Sequence, residues 1–468
     1  MYCGYIVEVK ELRPHTNADR LLVATFFGND VCVGLDTAIG DRGVYFPCDG
    51  QLSVEFCEAN NLVRKKDDAG NNIGGYMDRD KRNVTAIKLR GEKSDGLYLP
   101  ISCFDFTGVD TNTLTLGTQI TVVNGIDICQ KYIPNRQNKR GQATEGNRTR
   151  KKKVPIAPLF AEHVDTEQLA YNLGAFKPGD EIEITLKMHG SSQRTGYLPV
   201  LKGYKRTLLD RILRREGKPI YDWGYVSGTR RVVLEDFEGG YYGSNEFREA
   251  HSKTFESKLM KGETVYYEVV GFTHTGASIM GECDNKKLND KDFVKQYGET
   301  TRFSYGCHPE LGIWRDSQTH EIVPQSDIYV YRMTMTNEDG FVVEYTPDFM
   351  RYRCEQMGVK TVPVFTKVYV RDDAVLAHHM NGTVSGGSLP EGVSYGEAVR
   401  NIAEQFYDGP DPIGKTHVRE GIVVRIINRP KFCAYKHKNW YFKALEGIVK
   451  VDAEVPDMEE AQEVSDDT

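Results

Sequence analysis

The chain has 468 residues, 39% of them hydrophobic and 27% charged, the make-up of an ordinary globular protein of two or three domains. Residues 1–10, MYCGYIVEVK, carry neither the charged start nor the apolar stretch of a secretory signal, no uninterrupted apolar run approaches a membrane span, and the ten cysteines include no CxxC pair. These features predict a reduced, cytoplasmic, monomeric protein with no membrane contact, no disulfide framework and no zinc site. A net charge of −7 argues at first against nucleic acid, but the charge is unevenly spread. Residues 452–468 hold eight acids and no base, whereas residues 131–153 hold nine Lys or Arg and one acid, Glu145.

In chain order, residues 1–128 read as all-β. Short runs such as Tyr5-Ile6-Val7-Glu8-Val9, Val31-Cys32-Val33-Gly34-Leu35 and Gly43-Val44-Tyr45-Phe46 lie between Gly/Asn/Asp turns, which predicts a small β-barrel. Residues 129–155 are a basic linker or arm suited to phosphate contact. Residues 160–171 predict a short helix capped near Asp165 or Thr166. From residue 156 to about 450 strands and helices alternate irregularly, an α+β domain. Within it residues 205–216 predict a basic helix, 347–357 a helix ahead of a strand, and 396–407 another helix. Residues 451–468 form an acidic tail, expected to be disordered.

The most informative stretch is residues 181–196, EIEITLKMHGSSQRTG. Ile182, Ile184 and Leu186 alternate with Glu183, Thr185 and Lys187, the period of a half-buried strand. Lys187 therefore leaves the polar face just before Gly190 and two serines turn the chain. Four stretches follow it: Val226-Ser227-Gly228-Thr229-Arg230-Arg231; TVYYEVVG at 264–271, where Tyr266 and Glu268 share a strand face; Glu420-Gly421-Ile422-Val423-Val424-Arg425; and Tyr435-Lys436-His437-Lys438-Asn439. A strand pattern with Arg332, Ile328 to Met333, lies between the second and third. Each alone is an ordinary core strand, ion pair or solvated lysine pair. Their order over some 250 residues carries the argument.

Lys187-Met188-His189-Gly190 resembles the Lys-x-Asp-Gly motif of covalent nucleotidyltransferases, and the ordered partners resemble those of ATP-dependent RNA ligases. The branch resembled has an OB domain in front and a nucleotidyltransferase domain, with ATP-grasp-like antiparallel sheets and flanking helices, behind. DNA ligases and capping enzymes carry a barrel after the last lysine motif, and the 30 residues after Lys438 are too few for one. The resemblance implies that Lys187 forms a lysyl–AMP with ATP, that Glu268 and Glu420 hold Mg²⁺ or Mn²⁺, and that Lys436 and Lys438 hold the α-phosphate. It further implies that Tyr266 stacks on adenine, that His189, Gly190, Arg194, Arg230 and Arg332 contact the nucleotide or the RNA 5′-phosphate, and that a 3′-OH then seals the strand. His189 stands where the family has Asp, which bears on metal handling. Segments near 197–225, 275–325 and 366–415 are not explained by the resemblance. A GTP-dependent capping-type guanylyltransferase, a DNA-joining enzyme and a non-catalytic RNA-binding protein on a ligase scaffold remain alternatives. Residues 409–416, GPDPIGKT, match the P-loop pattern, but two prolines remove donors and the match follows a helix and precedes a strand, so the motif is rejected.

Overall fold

A computed structural model describes residues 2–66, 72–132, 154–208, 210, 213, 217–234, 237, 246–310 and 322–448. The basic arm at residues 133–153, half of the expected helix at 205–216 and the acidic tail lie outside them. The chain divides into two compact units: Met1–Arg136 with Cys283–Thr300 and Trp440–Asp452, and the remainder. Among the described residues no helix is long and apolar enough to cross a membrane, and the ten cysteines form no disulfide.

The first unit is built on antiparallel strands. Gly4–Glu8 and Arg42–Phe46 pair at the centre of a four-stranded sheet, and two three-stranded sheets, Leu12–Pro14/Leu21–Phe26/Asn29–Gly34 and Cys129–Lys131/Gly50–Leu52/Asn83–Val84, accompany it. Alternating residues of these strands, Ile6, Val44, Phe46 and Leu52, bury together with Phe56, Phe104 and Ile128. The strands fall where β-rich runs predict them. Among the described residues their pairing gives several small sheets and no closed barrel, so an OB fold is not established. The unit is discontinuous: Lys88 Nζ is 2.6 Å from Asp290, Tyr441 donates to Asp290 (3.2 Å), and Lys443 is paired with the buried Asp95.

The second unit holds two seven-stranded sheets. In the first, Cys433–Lys438, Gly421–Ile426, Glu181–Lys187 and Val364–Val370 are successive neighbours. Ile182, Ile184 and Leu186 lie opposite Ile426, Val424 and Ile422, and this apolar face packs with Val399, Ile402 and Ala403 of helix Tyr395–Tyr407. A capping box at Ser394 and Glu397 starts that helix. The polar face carries Glu183, Thr185 and Lys187. Glu183 is nonetheless buried, because Arg351 of helix Pro347–Met357 makes a two-pronged bond to it (3.0 and 2.8 Å). The chain then turns through residues 188–190 into Ser191–Lys205, a strand of the second sheet between Lys218–Gly228 and Glu263–Gly271. Lys187 thus stands where one sheet hands over to the other.

One expected element is absent. Residues 160–166 form no helix; only a two-residue strand, Glu167–Gln168, and a 3₁₀ turn, Leu169–Tyr171, follow. The reason is that this segment satisfies its backbone against side chains of the second sheet. The carbonyl of Phe160 accepts from Arg194 (3.1 Å) and that of Ala161 from the Tyr266 hydroxyl (3.0 Å), so these carbonyls have partners outside a helix.

Candidate active site

Across three adjoining strands, Lys187 lies opposite Gly421 and Gly421 opposite Lys438; two residues along, Thr185, Val423 and Lys436 form the next row. Directly opposed residues share a face, and so do positions two apart. Lys187, Lys436 and Lys438 therefore project from the same side of the sheet, around a glycine. Gly421 has φ +148°, and a Cβ there would meet the His437 carbonyl at 2.1 Å, so the gap between the lysines is fixed by backbone.

Glu420 precedes that glycine and closes the group. Its Oε1 is 2.5 Å from Lys187 Nζ and 3.9 Å from Lys438 Nζ. Burial alone would push this carboxyl up, but Lys187, Lys438 and His189 outweigh it and hold it below its ordinary value. Oε2 is buried and, among the described residues, has no hydrogen-bond partner. A buried carboxylate oxygen with an open lone pair beside other polar groups suits a hard divalent cation. Glu268 is placed by the turn itself: Gly190 packs so closely on strand Glu263–Gly271 that a Cβ on it would lie 3.2 Å from Glu268 Cβ and 2.8 Å from the Val269 carbonyl. His189 is half-buried, its ring set edge-on to Phe303 at 4.6 Å, with a ring nitrogen within 4.8 Å of a Glu420 oxygen.

The remaining candidates gather elsewhere, around His163. Arg194 is almost fully buried, stacks on Phe160 at 4.2 Å, and donates Nε, Nη1 and Nη2 to the carbonyls of Thr229, Phe160 and Arg231 at 2.9, 3.1 and 3.1 Å. That is a backbone clamp, where a phosphate contact was expected. Arg332 is paired with Glu344 and covers the Tyr266 ring at 4.5 Å, so the buried ring expected to stack on adenine meets a guanidinium instead. Arg230 and its neighbour Arg231 reach Asp165 at 2.9 and 2.8 Å. Burial, then Arg332, Arg230, Arg194 and Arg425, push His163 well below its ordinary pKa, and the neutral ring accepts from Arg332 (3.3 Å).

The P-loop look-alike is filled by its own carboxylate. Asp411 accepts the backbone N–H groups of Ile413, Gly414 and Lys415 at 3.0, 2.7 and 2.8 Å, the donors a phosphate would need.

No protein-family model matches the sequence, and no curated protein does. Solved structures do match. Naegleria gruberi RNA ligase with PPi superposes at TM-score 0.50 with 15% identity, covering 94% of this chain and 98% of that one. Two variants of the same ligase with ATP and Mn superpose at TM-score 0.50, one with 15% identity over 95% and 99% of the two chains, the other with 16% over 95% and 98%. The chain shares its fold with an RNA ligase. At such identity the likeness concerns the fold: mixed α and β, with antiparallel sheets.

Sequence reasoning missed Tyr305, Phe303 and His417, which pack beneath residues 188–190, and His163, Arg425 and Glu344 in the arginine cluster. Arg425 had a signal: it is four residues after Gly421 and so faces the same side as Lys187 and Glu183. Tyr305 had none, since it lies in a segment the family pattern does not explain.

Proposed function

We propose that the protein is an ATP-dependent RNA ligase working through a lysyl–AMP intermediate. The observation that carries this is the row Lys187–Gly421–Lys438 closed by Glu420, a primary amine held at a sheet end among two further lysines and an acid. In this reading Lys187 Nζ attacks the α-phosphorus of ATP, a P–N bond forms and pyrophosphate leaves. Lys436 and Lys438, on the same face, hold the negative charge of the α-phosphate. An amine attacks only after it has lost a proton and its ion-pair partner, and Glu420 Oε1 is that partner at 2.5 Å. A divalent cation, Mg²⁺ or Mn²⁺, on Glu420 and Glu268 would take over this carboxylate and neutralise charge on the phosphates. The ATP and Mn of the fold neighbours agree with that donor set. An RNA 5′-phosphate then displaces Lys187 to give an adenylylated end, and a 3′-OH displaces AMP to seal the strand.

Within the domain division read from sequence, residues 156–450 carry this chemistry, and the front of the chain with its basic arm grips RNA. The deciding experiment is incubation with α-labelled ATP and Mg²⁺. The wild type should acquire an amine-linked AMP label that is acid-labile and alkali-stable, and Lys187→Ala none, with an unchanged melting temperature. Full labelling of Lys187→Ala would end the proposal. Label from GTP in preference to ATP would favour the capping-type alternative.

A further inference from the structure

Residues 188–190 must direct a side chain at a phosphorus atom, yet they are a turn between two sheets with no ladder of their own. What fixes them comes from residues 303–306, inside a segment that the ligase resemblance leaves unexplained, and from the loop at 409–417. The backbone N–H of His189 donates to the Tyr305 hydroxyl at 2.7 Å. Tyr305 is buried and sits at φ +47°, a left-handed conformation that a tyrosine adopts only when its surroundings impose it. Those surroundings are visible. The His417 ring stands edge-on to Tyr305 at 4.6 Å, and Phe303 lies between His189 (4.6 Å) and His417 (5.2 Å). Gly414 approaches so closely that a Cβ on it would be 2.6 Å from the Gly306 nitrogen, and Ser304 Oγ lies 3.2 Å from Thr416 Oγ1. Behind them the 409–417 loop is wound around Asp411, which also accepts three of its N–H groups, so it is a rigid support.

We propose that Tyr305, backed by Phe303 and the loop ending at His417, is a positioning residue that sets the backbone of His189 and thereby the direction in which Lys187 meets its substrate. The turn is held at two points: Gly190 against the Glu268–Val269 backbone on one side and His189 on the Tyr305 hydroxyl on the other. Burial, followed by Glu420, Asp411 and Glu268, keeps the Tyr305 phenol far above its ordinary value, so it remains a neutral hydroxyl over the working pH range. The arrangement also accounts for a histidine at position 189, whose ring fills the aromatic niche that Phe303 provides.

The inference rests on the lysyl–AMP reading for its kinetic arm only. Tyr305→Phe removes the acceptor and keeps the ring. Misdirecting a nucleophile by about an ångström costs tenfold or more, so single-turnover AMP transfer to the full-length protein should fall about tenfold. Half-saturation by ATP should stay within about twofold. Sealing of RNA supplied with a pre-adenylylated 5′ end bypasses Lys187 attack and should also stay within about twofold. Amide exchange in residues 187–191 should quicken while residues 181–186 remain protected. Equal falls in both chemical steps would mean general damage and overturn the proposal, as would unchanged exchange at 187–191. If exchange quickens but the wild type forms no AMP adduct, the ligase reading fails and the positioning role stands. Should Tyr305→Phe not fold, His417→Gln, which removes the ring behind it, is expected to slow the same step selectively; equal slowing of both steps would again overturn the proposal.

Discussion

At the scale of single residues, the strand around Lys187 was legible because alternation is a direct consequence of the pleat: once Ile182, Ile184 and Leu186 are inside, Lys187 has to be on the other face. The same rule placed Lys436 and Lys438 together. It could not say which arginines were open to a phosphate, since burial of a guanidinium depends on carbonyls brought from elsewhere in the chain. Nor could it see that His189 contributes to the electrostatics of Glu420. That contribution gives a test. His189→Asp restores the residue of the ligase motif but places a second carboxylate near a buried first one, which raises the Glu420 pKa. Because Glu420 must be ionised to hold a cation, the acid limb of the AMP-transfer pH profile should move to higher pH in His189→Asp. An unmoved limb would mean that His189 does not act on Glu420.

At the scale of elements, helices Pro347–Met357 and Tyr395–Tyr407 lie where 347–357 and 396–407 were expected, and the structure shows each starting on a local cap, Thr346 and Ser394, whose side chains accept first-turn N–H groups. The segment at 160–166 does not follow its expectation, because its helical pattern competes with side-chain donors supplied to its carbonyls by strands that follow it by thirty to a hundred residues. Arg194 is the key to that competition. Arg194→Lys keeps the charge but has no planar fork to serve three carbonyls. Each buried carbonyl left without a donor costs about 1–3 kcal/mol, so thermal unfolding should drop by several degrees, with loosened amide protection at 156–165. Retained stability together with weakened ATP binding would instead return Arg194 to the phosphate role expected from sequence.

At the scale of the whole molecule, charge and burial set two expectations. Burial depresses His251 from 6.5 to about 4, against a weaker opposing pull from Asp327. On acidification the unfolded chain takes up this proton first, so stability is level above about pH 6.5, falls between 6.5 and about 4, and is level again below. The displacement corresponds to about 3 kcal/mol. The loss in urea midpoint from pH 7 to pH 5 should therefore be smaller in His251→Gln, and an identical loss would count against it. The second expectation concerns RNA. Neutralising the nine bases of residues 131–153 in the full chain should weaken binding and flatten its salt dependence by roughly one unit of slope for each phosphate the arm no longer neutralises; an unchanged slope would exclude the arm from the grip. Deleting residues 1–153 is a poorer experiment. It would strip Lys443 and helix Lys291–Tyr297 of partners in their own unit. That discontinuity also bears on how the protein is made. Asp95 and Lys443 are 348 residues apart, and ribosomes add roughly 5–20 residues per second, so the front strands wait roughly 20–70 s for the helix that completes them. A chain cut just after Lys438 would keep every proposed nucleotidyl-transfer residue, and the damage would appear at its opposite end.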